Sequence, residues 1–267
     1  MTDAPVLIDR LADSTGAVAI VTLNRPDRRN ALTVDLKEAL VAALAEVAGD
    51  ESVRAVVLAG SGPAFCVGQD LGEHAAALDA DATTAFDTVA AHYAPIVTSL
   101  ATMPKPVVAA VNGTCVGAGL GFALACDLRV FAAGTTLGTA FSAIGLTCDS
   151  GLAGTLPRAV GEAKARELVL LGRNFTPEEA VGWGISGEIV PAEEVLAAAT
   201  KIATRLAAGP TLAYAESKRL LASGIDRPLA DTLAAEGDAQ ARCGRTQDHA
   251  GAVRAFLDRD RPTFSGR

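Results

Sequence analysis

Lys105-Pro106-Val107-Val108-Ala109-Ala110-Val111-Asn112-Gly113-Thr114-Cys115-Val116-Gly117-Ala118-Gly119-Leu120-Gly121 is the stretch on which the fold turns. Its first half holds a continuous apolar run, Val107–Val111, stopped by Asn112-Gly113. Such a run reads as a strand buried on both faces. Its second half places glycine at 117, 119 and 121 and runs into the apolar segment 122–126. Buried strand, glycine turn and helix start follow one another. An upstream stretch, Ala64-Phe65-Cys66-Val67-Gly68-Gln69-Asp70-Leu71, has the same form. Glycine lets a backbone approach a ligand closely, and a helix N-terminus presents N–H groups without intrahelical acceptors at the positive end of its dipole. Two such turns that converge make an oxyanion site from main-chain donors alone. The competing reading is close packing, with Gly117, Gly119 and Gly121 letting a helix press on a strand. A dinucleotide turn does not fit, because Phe122 stands where GxGxxG needs its third glycine.

Outward from this stretch, strand and helix signals alternate. Residues 18–23 are apolar and end at Asn24-Arg25-Pro26, a strand entering a turn. Thr33 is placed to cap a helix whose Leu36, Leu40, Leu44 and Val47 recur at helical spacing. Residues 53–59 read as a buried strand stopped by Gly60-Ser61-Gly62-Pro63, and Leu128–Ala132 reads as another. Thr176-Pro177-Glu178-Glu179 carries a capping box with proline in the first turn. Residues 192–206, 211–223, 227–243 and 248–257 have helical periodicity, whereas 79–85 is alanine-rich and weakly patterned. An α/β core over residues 1–195 and a C-terminal helical region over 196–267 are expected. The apolar residues of the tail call for a partner surface, in the same chain or in another copy.

The chain has 267 residues, 50% of them hydrophobic and 4% aromatic, enough for a sizeable core of small aliphatic side chains. A net charge of −8 disfavours nucleic acid as a partner. Local clusters at Arg25, Arg28 and Arg29, and at Arg254, Arg259 and Arg261, suit a phosphorylated small ligand. No long apolar run opens the chain, so no signal peptide is expected, and residues 106–116 are too short to span a bilayer. Five scattered cysteines without a CxxC pair read as reduced thiols of a cytoplasmic protein. With only three histidines and no clustered ligands, no metal site is expected.

Four segments together resemble the crotonase superfamily, the enoyl-CoA hydratase/isomerase family. They are Leu23-Asn24-Arg25-Pro26 with Asn30-Ala31-Leu32, then Phe65 to Leu71, then Lys105 to Gly119, and Leu156-Pro157-Arg158-Ala159-Val160-Gly161. The match runs in order over nearly the whole chain. The resemblance implies a spiral of ββα units with a C-terminal helical region used in trimerisation, assembled as a homotrimer or a dimer of trimers. It implies an acyl-CoA thioester as substrate, with coenzyme A entering as part of that substrate and no separate cofactor. Gln69 and Ala118 match the two oxyanion-hole positions, in turns that also contain Ala64, Gly68 and Gly117. Asp70 and Leu71 continue the loop that folds around the adenine and pantetheine. Arg28 lies in the stretch that approaches the CoA phosphates, and Phe256 and Arg259 match positions that reach the nucleotide, often from a neighbouring subunit. For Arg28 and Arg259 a solvated surface charge is the alternative.

Hydratases of this family use two glutamates, and their positions here hold Gly121 and Phe141. Neither residue activates water or supplies a proton. One carboxylate remains in the right segment, Asp149 in Gly145-Leu146-Thr147-Cys148-Asp149-Ser150-Gly151, a pattern similar to that of isomerase-like members. The resemblance implies that Asp149 acts as base and acid in a double-bond shift, with Phe141 keeping the pocket dry. The alternative for Asp149 is to cap a helix over Leu152–Val160. His74 and His92 are expected at the surface. A hydratase with atypical acid/base residues, a non-catalytic acyl-CoA-binding protein and a thioester hydrolase stay open at this point.

Overall fold

The computed structural model describes residues 4–13 and 16–267. The chain opens with β1 (Val6–Asp13) antiparallel to β2 (Gly16–Leu23), followed by α1 (Val34–Gly49). Three consecutive units then repeat one plan. They are β3 (Val53–Gly60), β4 (Ala64–Cys66), α2 (Leu71–Asp81) and α3 (Ala94–Thr102); β5 (Val107–Val111), β6 (Thr114–Val116) and α4 (Ala118–Ala125); and β7 (Leu128–Ala132), β8 (Leu137–Gly138), α5 (Leu152–Val160) and α6 (Glu162–Leu171). After α7 (Pro177–Trp183) come β9 (Glu188–Val190), α8 (Val195–Ala207), α9 (Thr211–Gly224), α10 (Leu229–Gly244) and α11 (Gln247–Asp258). The first strand of each unit joins a six-stranded sheet in the order β1-β2-β3-β5-β7-β9, parallel except at β1, and the second joins a three-stranded sheet β4-β6-β8. The fold is therefore the expected α/β spiral of ββα units with a helical C-terminal region.

The apolar runs are continuous because the large sheet is covered on both sides. Side chains alternate across it with the period of a strand. Val107, Ala109 and Val111 face the layer that contains Leu36, Leu40, Leu44, Ile96 and Leu100, while Val108 and Ala110 face Val195, Ala199, Ala203 and Ala207 of α8. The alanine spacing of four residues lets α8 lie close on the strands. Helix α8 thus belongs to the sheet layer, and the expected boundary after residue 195 falls at its first residue. The helices outside that layer begin at Thr211.

Local signals act where they stand. Thr33 accepts from the Leu36 N–H and Thr176 forms the full capping box with Glu179. Asn30 does more. It has no exposed surface and a left-handed φ of 56°. Its Nδ2 donates to the carbonyls of Ser61 (3.0 Å), Ala64 (2.9 Å) and Phe65 (3.1 Å), and its Oδ1 accepts from the Arg25 N–H at 2.9 Å. One side chain thus ties the turn after β2 to the turn between β3 and β4. Asn30→Ala removes the Nδ2 donor from those carbonyls and keeps an alanine at positive φ. A loss of roughly 2–4 kcal/mol is expected, measured as a shift in the urea midpoint at unchanged m-value.

Candidate active site

The two glycine turns meet. Gly68 has φ +83°, and a Cβ built on it would lie 3.4 Å from the Val116 carbonyl oxygen and 3.5 Å from the Ala118 nitrogen. A Cβ on Gly119 would overlap the Cys66 carbonyl. Backbone therefore sits directly on backbone where β4 and β6 lead into their turns. Leu32 bridges Gln69 in parallel fashion: its N–H donates to the Gly68 carbonyl (2.8 Å) and its carbonyl accepts from the Asp70 N–H (3.2 Å). That pattern takes up the groups on either side of Gln69 and leaves the Gln69 N–H facing away from Leu32. Ala118 is the first residue of α4, so its N–H has no intrahelical acceptor. Gly117, at φ 58° and ψ −128°, makes the turn that sets this geometry.

Asp149 reaches the same place through a third close contact. A Cβ on Gly121 would overlap the Ser150 carbonyl and lie 2.6 Å from the Ser150 Cβ. The loop 149–151 is thereby laid across the first turns of α4. Asp149 does not cap α5, whose N-cap is Gly151 in the left-handed region with no side-chain bond. Its Oδ1 instead accepts from the Ser150 hydroxyl at 2.7 Å. Burial pushes the Asp149 carboxyl above the usual carboxylate range, with the Ser150 hydrogen bond and the Lys37 charge opposing that shift. Phe141 is buried, 7% exposed, at the entry to the short turn Ser142–Ile144.

Other expected site residues occupy mixed positions. Ala64 is buried, with its carbonyl held by Asn30. Asp70 caps α2 by accepting from the Gly72 (3.0 Å) and Glu73 (3.1 Å) N–H groups, and its Oδ2 pairs with Arg25 at 2.6 Å. The Arg25 partner, followed by those N–H donors, holds its carboxyl below the usual range. Leu71 and Arg28 are exposed. Phe256, 82% exposed, stands on α11, and Arg259 closes that helix at φ 60°. The turns, Ala118 and Asp149 come together, while Phe256 and Arg259 belong to a different part of the chain.

Beneath Gln69 lies a polar cluster that motif reading misses. The Gln69 Oε1 accepts from the Tyr93 hydroxyl and from Lys37 Nζ at 3.3 Å, and Lys37 also donates to Thr88 Oγ1 at 2.7 Å. Lys37 has no exposed surface and Tyr93 is 2% exposed. The sequence holds one signal for it, since Lys37 shares a helical stripe with Leu40, Leu44 and Val47. Tyr93 ends a π-helical turn, Val89–Tyr93, a form without a periodicity of its own. His74 and His92, expected at the surface, are half-buried. His74 packs edge-on against Phe86, and His92 Nδ1 lies 3.0 Å from Thr88 Oγ1. The nearby Cys66 is no nucleophile, because burial pushes its thiol up to about 12.

The family model for Enoyl-CoA hydratase/isomerase matches residues 13–267. A Rhodobacter capsulatus protein named "Probable enoyl-CoA hydratase" is 38% identical over 250 residues, covering 94% of this chain and 95% of its own length. The 1,2-epoxyphenylacetyl-CoA isomerase of Escherichia coli is 36% identical over 250 residues, with 94% and 95% covered. A crystal structure of an enoyl-CoA hydratase/isomerase from Mycobacterium abscessus superposes with a TM-score of 0.93 at 44% identity, covering 98% of this chain and 100% of that one. The chain belongs to the enoyl-CoA hydratase/isomerase family, within the crotonase superfamily.

The Gly121 contact generates a prediction. Gly121→Ala forces a methyl group into the Ser150 carbonyl, so the 149–151 loop has to lift from α4. A loss of about 1–3 kcal/mol is expected by urea unfolding. Gly121→Glu, which installs a carboxylate at a hydratase position, is expected to cost more and to confer no hydration of a 2-enoyl-CoA in a coupled assay.

Proposed function

We propose that this protein shifts a double bond within an enoyl-CoA, with the thioester oxygen held by the Gln69 and Ala118 N–H groups and Asp149 serving as both base and acid. The observation that carries the reading is the placement of a desolvated Asp149 over α4, where Gly121 replaces a hydratase glutamate and the Ser150 backbone fills its space. Removal of a proton from the substrate moves charge onto the thioester oxygen as a dienolate. Each well-placed N–H donor is worth roughly 3–4 kcal/mol to that charge. The same carboxyl then returns the proton to the other end of the conjugated system. One group that accepts and then donates completes the 1,3-shift, with no second carboxylate and no bound water. The relatives support acyl-CoA chemistry in general, one being named an isomerase of an epoxyacyl-CoA and others hydratases, and the choice of a double-bond shift rests on Asp149.

Coenzyme A enters as part of the substrate and no other cofactor takes part. Arg28 is exposed beside the first turn and is assigned to the CoA phosphates. Phe256 and Arg259 are assigned to the nucleotide in an assembled trimer or pair of trimers. Asp70 contributes through the loop it caps rather than through its carboxylate, which Arg25 already holds. Leu71, exposed at the start of α2, offers an apolar surface to the pantetheine.

The test uses a 3-enoyl-CoA and the corresponding 2-enoyl-CoA. Asp149→Ala is expected to lower kcat for isomerisation by about 10²–10⁴-fold with its fold intact by circular dichroism. Because the base must be ionised, wild-type kcat/KM is expected to fall as pH drops through the Asp149 pKa, and burial places that limb above the range of an exposed aspartate. Rapid hydration of the 2-enoyl-CoA, untouched by the substitution, would sink the assignment.

A further inference from the structure

Lys37 is an expensive residue to keep. It lies in the first turns of α1 with no exposed surface. A buried ammonium is costly unless a counter-charge meets it, and the N-terminal end of a helix, the positive end of its dipole, adds to that cost. Its contacts are neutral: Thr88 Oγ1 at 2.7 Å, Gln69 Oε1 at 3.3 Å, and the Tyr93 ring with its centroid 5.4 Å away. Among the described residues no carboxylate forms an ion pair with it. Burial holds Lys37 below the ordinary lysine range, and the carboxylates of Glu73 and Asp149 act on it through space against that shift. Both have other hydrogen-bonding commitments, Glu73 to the Val34 N–H (2.9 and 3.2 Å) and Asp149 to the Ser150 hydroxyl. His92, on the far side of Thr88, is held toward its neutral form first by burial and then by Lys37 itself. The ammonium is thus buried behind Gln69, in a site assigned to an acyl group that becomes an anion.

We propose that Lys37 is a positioning residue for the thioester site: with Tyr93 it clamps the Gln69 side chain, and its positive charge balances the oxyanion that forms at the Gln69 and Ala118 N–H groups. This rests on the oxyanion reading given above. Gln69 directly follows Gly68, which lies against Val116–Ala118, and two donors on its Oε1 restrict rotation of the peptide that carries the N–H. The ammonium is held by the Gln69 side chain, Thr88 and the Tyr93 ring, so its assigned role is that of a charge and a clamp and not of a proton donor or acceptor.

Acetoacetyl-CoA reads this without any assumption about acid/base groups. Its α-C–H bond breaks, the proton passes to solvent, and the electron pair delocalises onto the carbonyl oxygens as an enolate seen in the near ultraviolet. With ligand saturating, the bound enolate is expected to titrate at lower pH than free acetoacetyl-CoA. Lys37→Gln keeps hydrogen-bonding groups without charge, and Lys37→Met removes both. Either is expected to leave roughly tenfold less bound enolate at a given pH, one unit of apparent pKa. Lys37→Arg, which restores the charge, is expected to recover most of it. If Lys37→Met does not fold, Lys37→Gln carries the test. Ala118→Pro is the control for the underlying reading, because it deletes one N–H at a first helical position that tolerates proline. Enolate lost in Ala118→Pro but unchanged in Lys37→Gln overturns the role of Lys37 alone. Enolate retained in Ala118→Pro, or none gathered by wild type, overturns the oxyanion reading and this inference with it.

Discussion

The structure depends on peptide groups lying directly against peptide groups around the first two turns of α4. Gly119 sits on the Cys66 carbonyl, Gly121 on the Ser150 carbonyl, and Gly68 on the chain at Val116–Ala118. No side chain fits at the first two positions, and the third also needs a left-handed φ. These contacts fix the distance between β4 and the start of α4, and they fix where the loop after β8 crosses that helix. The small sheet stands behind them. Cys115 donates to Thr136 at 2.9 Å and Gly117 to Gly138 at 3.0 Å, so the second glycine turn starts from a strand already locked in place. The oxyanion site proposed above needs that rigidity, since preorganised donors cost no reorganisation at the moment of reaction.

The buried polar side chains serve the same end by different routes. Asn30 holds the carbonyls of the first turn, and Lys105 donates to the carbonyls of Val47 (2.9 Å) and Asp50 (2.9 Å) at the C-terminal end of α1. That is where a helix welcomes positive charge. Asp248 accepts from the Ser265 and Gly266 N–H groups and fastens the last residues of the chain to the start of α11, near Arg54, which donates to the carbonyls of Gly209 and Phe264 (2.8 Å). Each ties distant segments through main-chain groups. Lys37 breaks the pattern. It sits at the wrong end of the same helix for a cation and touches side chains only, which is why its charge asks for an explanation outside the folded chain.

Strands that are buried on both faces were legible, because a continuous apolar run of strand length bounded by glycine or asparagine has few other readings. The bounds of β5 and β7 match those runs. The capped helices α1 and α7 were legible for an equally local reason. Elements with one-sided or partial burial were not. Edge strand β1 exposes Asp9, Arg10 and Leu11. Helix α2 buries none of its residues, so it has no apolar stripe to read, and α3 shows only the pair Ile96 and Leu100. At the site, the glycine spacing told that backbone comes close to something, but it did not tell to what. For Gly119 and Gly121 the answer is other backbone, as the packing reading has it, and the same contacts leave room for the oxyanion site proposed above. The Lys37–Gln69–Tyr93 cluster joins α1, the first turn and a π-helical turn, and no local pattern reports a meeting of three separate segments.

The steric constraint at Gly121 also bears on the chemistry. Adding water across a double bond needs one group to activate the water and another to protonate carbon, on carboxylates that flank it. At the two positions assigned to them by resemblance, the Ser150 backbone fills the space beside Gly121 and Phe141 is a buried phenylalanine. A proton shuttle asks for less: one carboxyl that reaches both ends of a planar dienolate. Desolvation suits it to that task, because raising the Asp149 pKa brings it nearer to that of the carbon acid and makes it a stronger base. Taken too far, the same desolvation would leave the carboxyl protonated and useless as a base at neutral pH. The Lys37 charge works against that excess, and in the proposed mechanism it also favours the dienolate. In the proposed mechanism one buried cation therefore acts on both the base and the enolate. On that proposal the coupling gives the cluster beneath Gln69 a place in the chemistry.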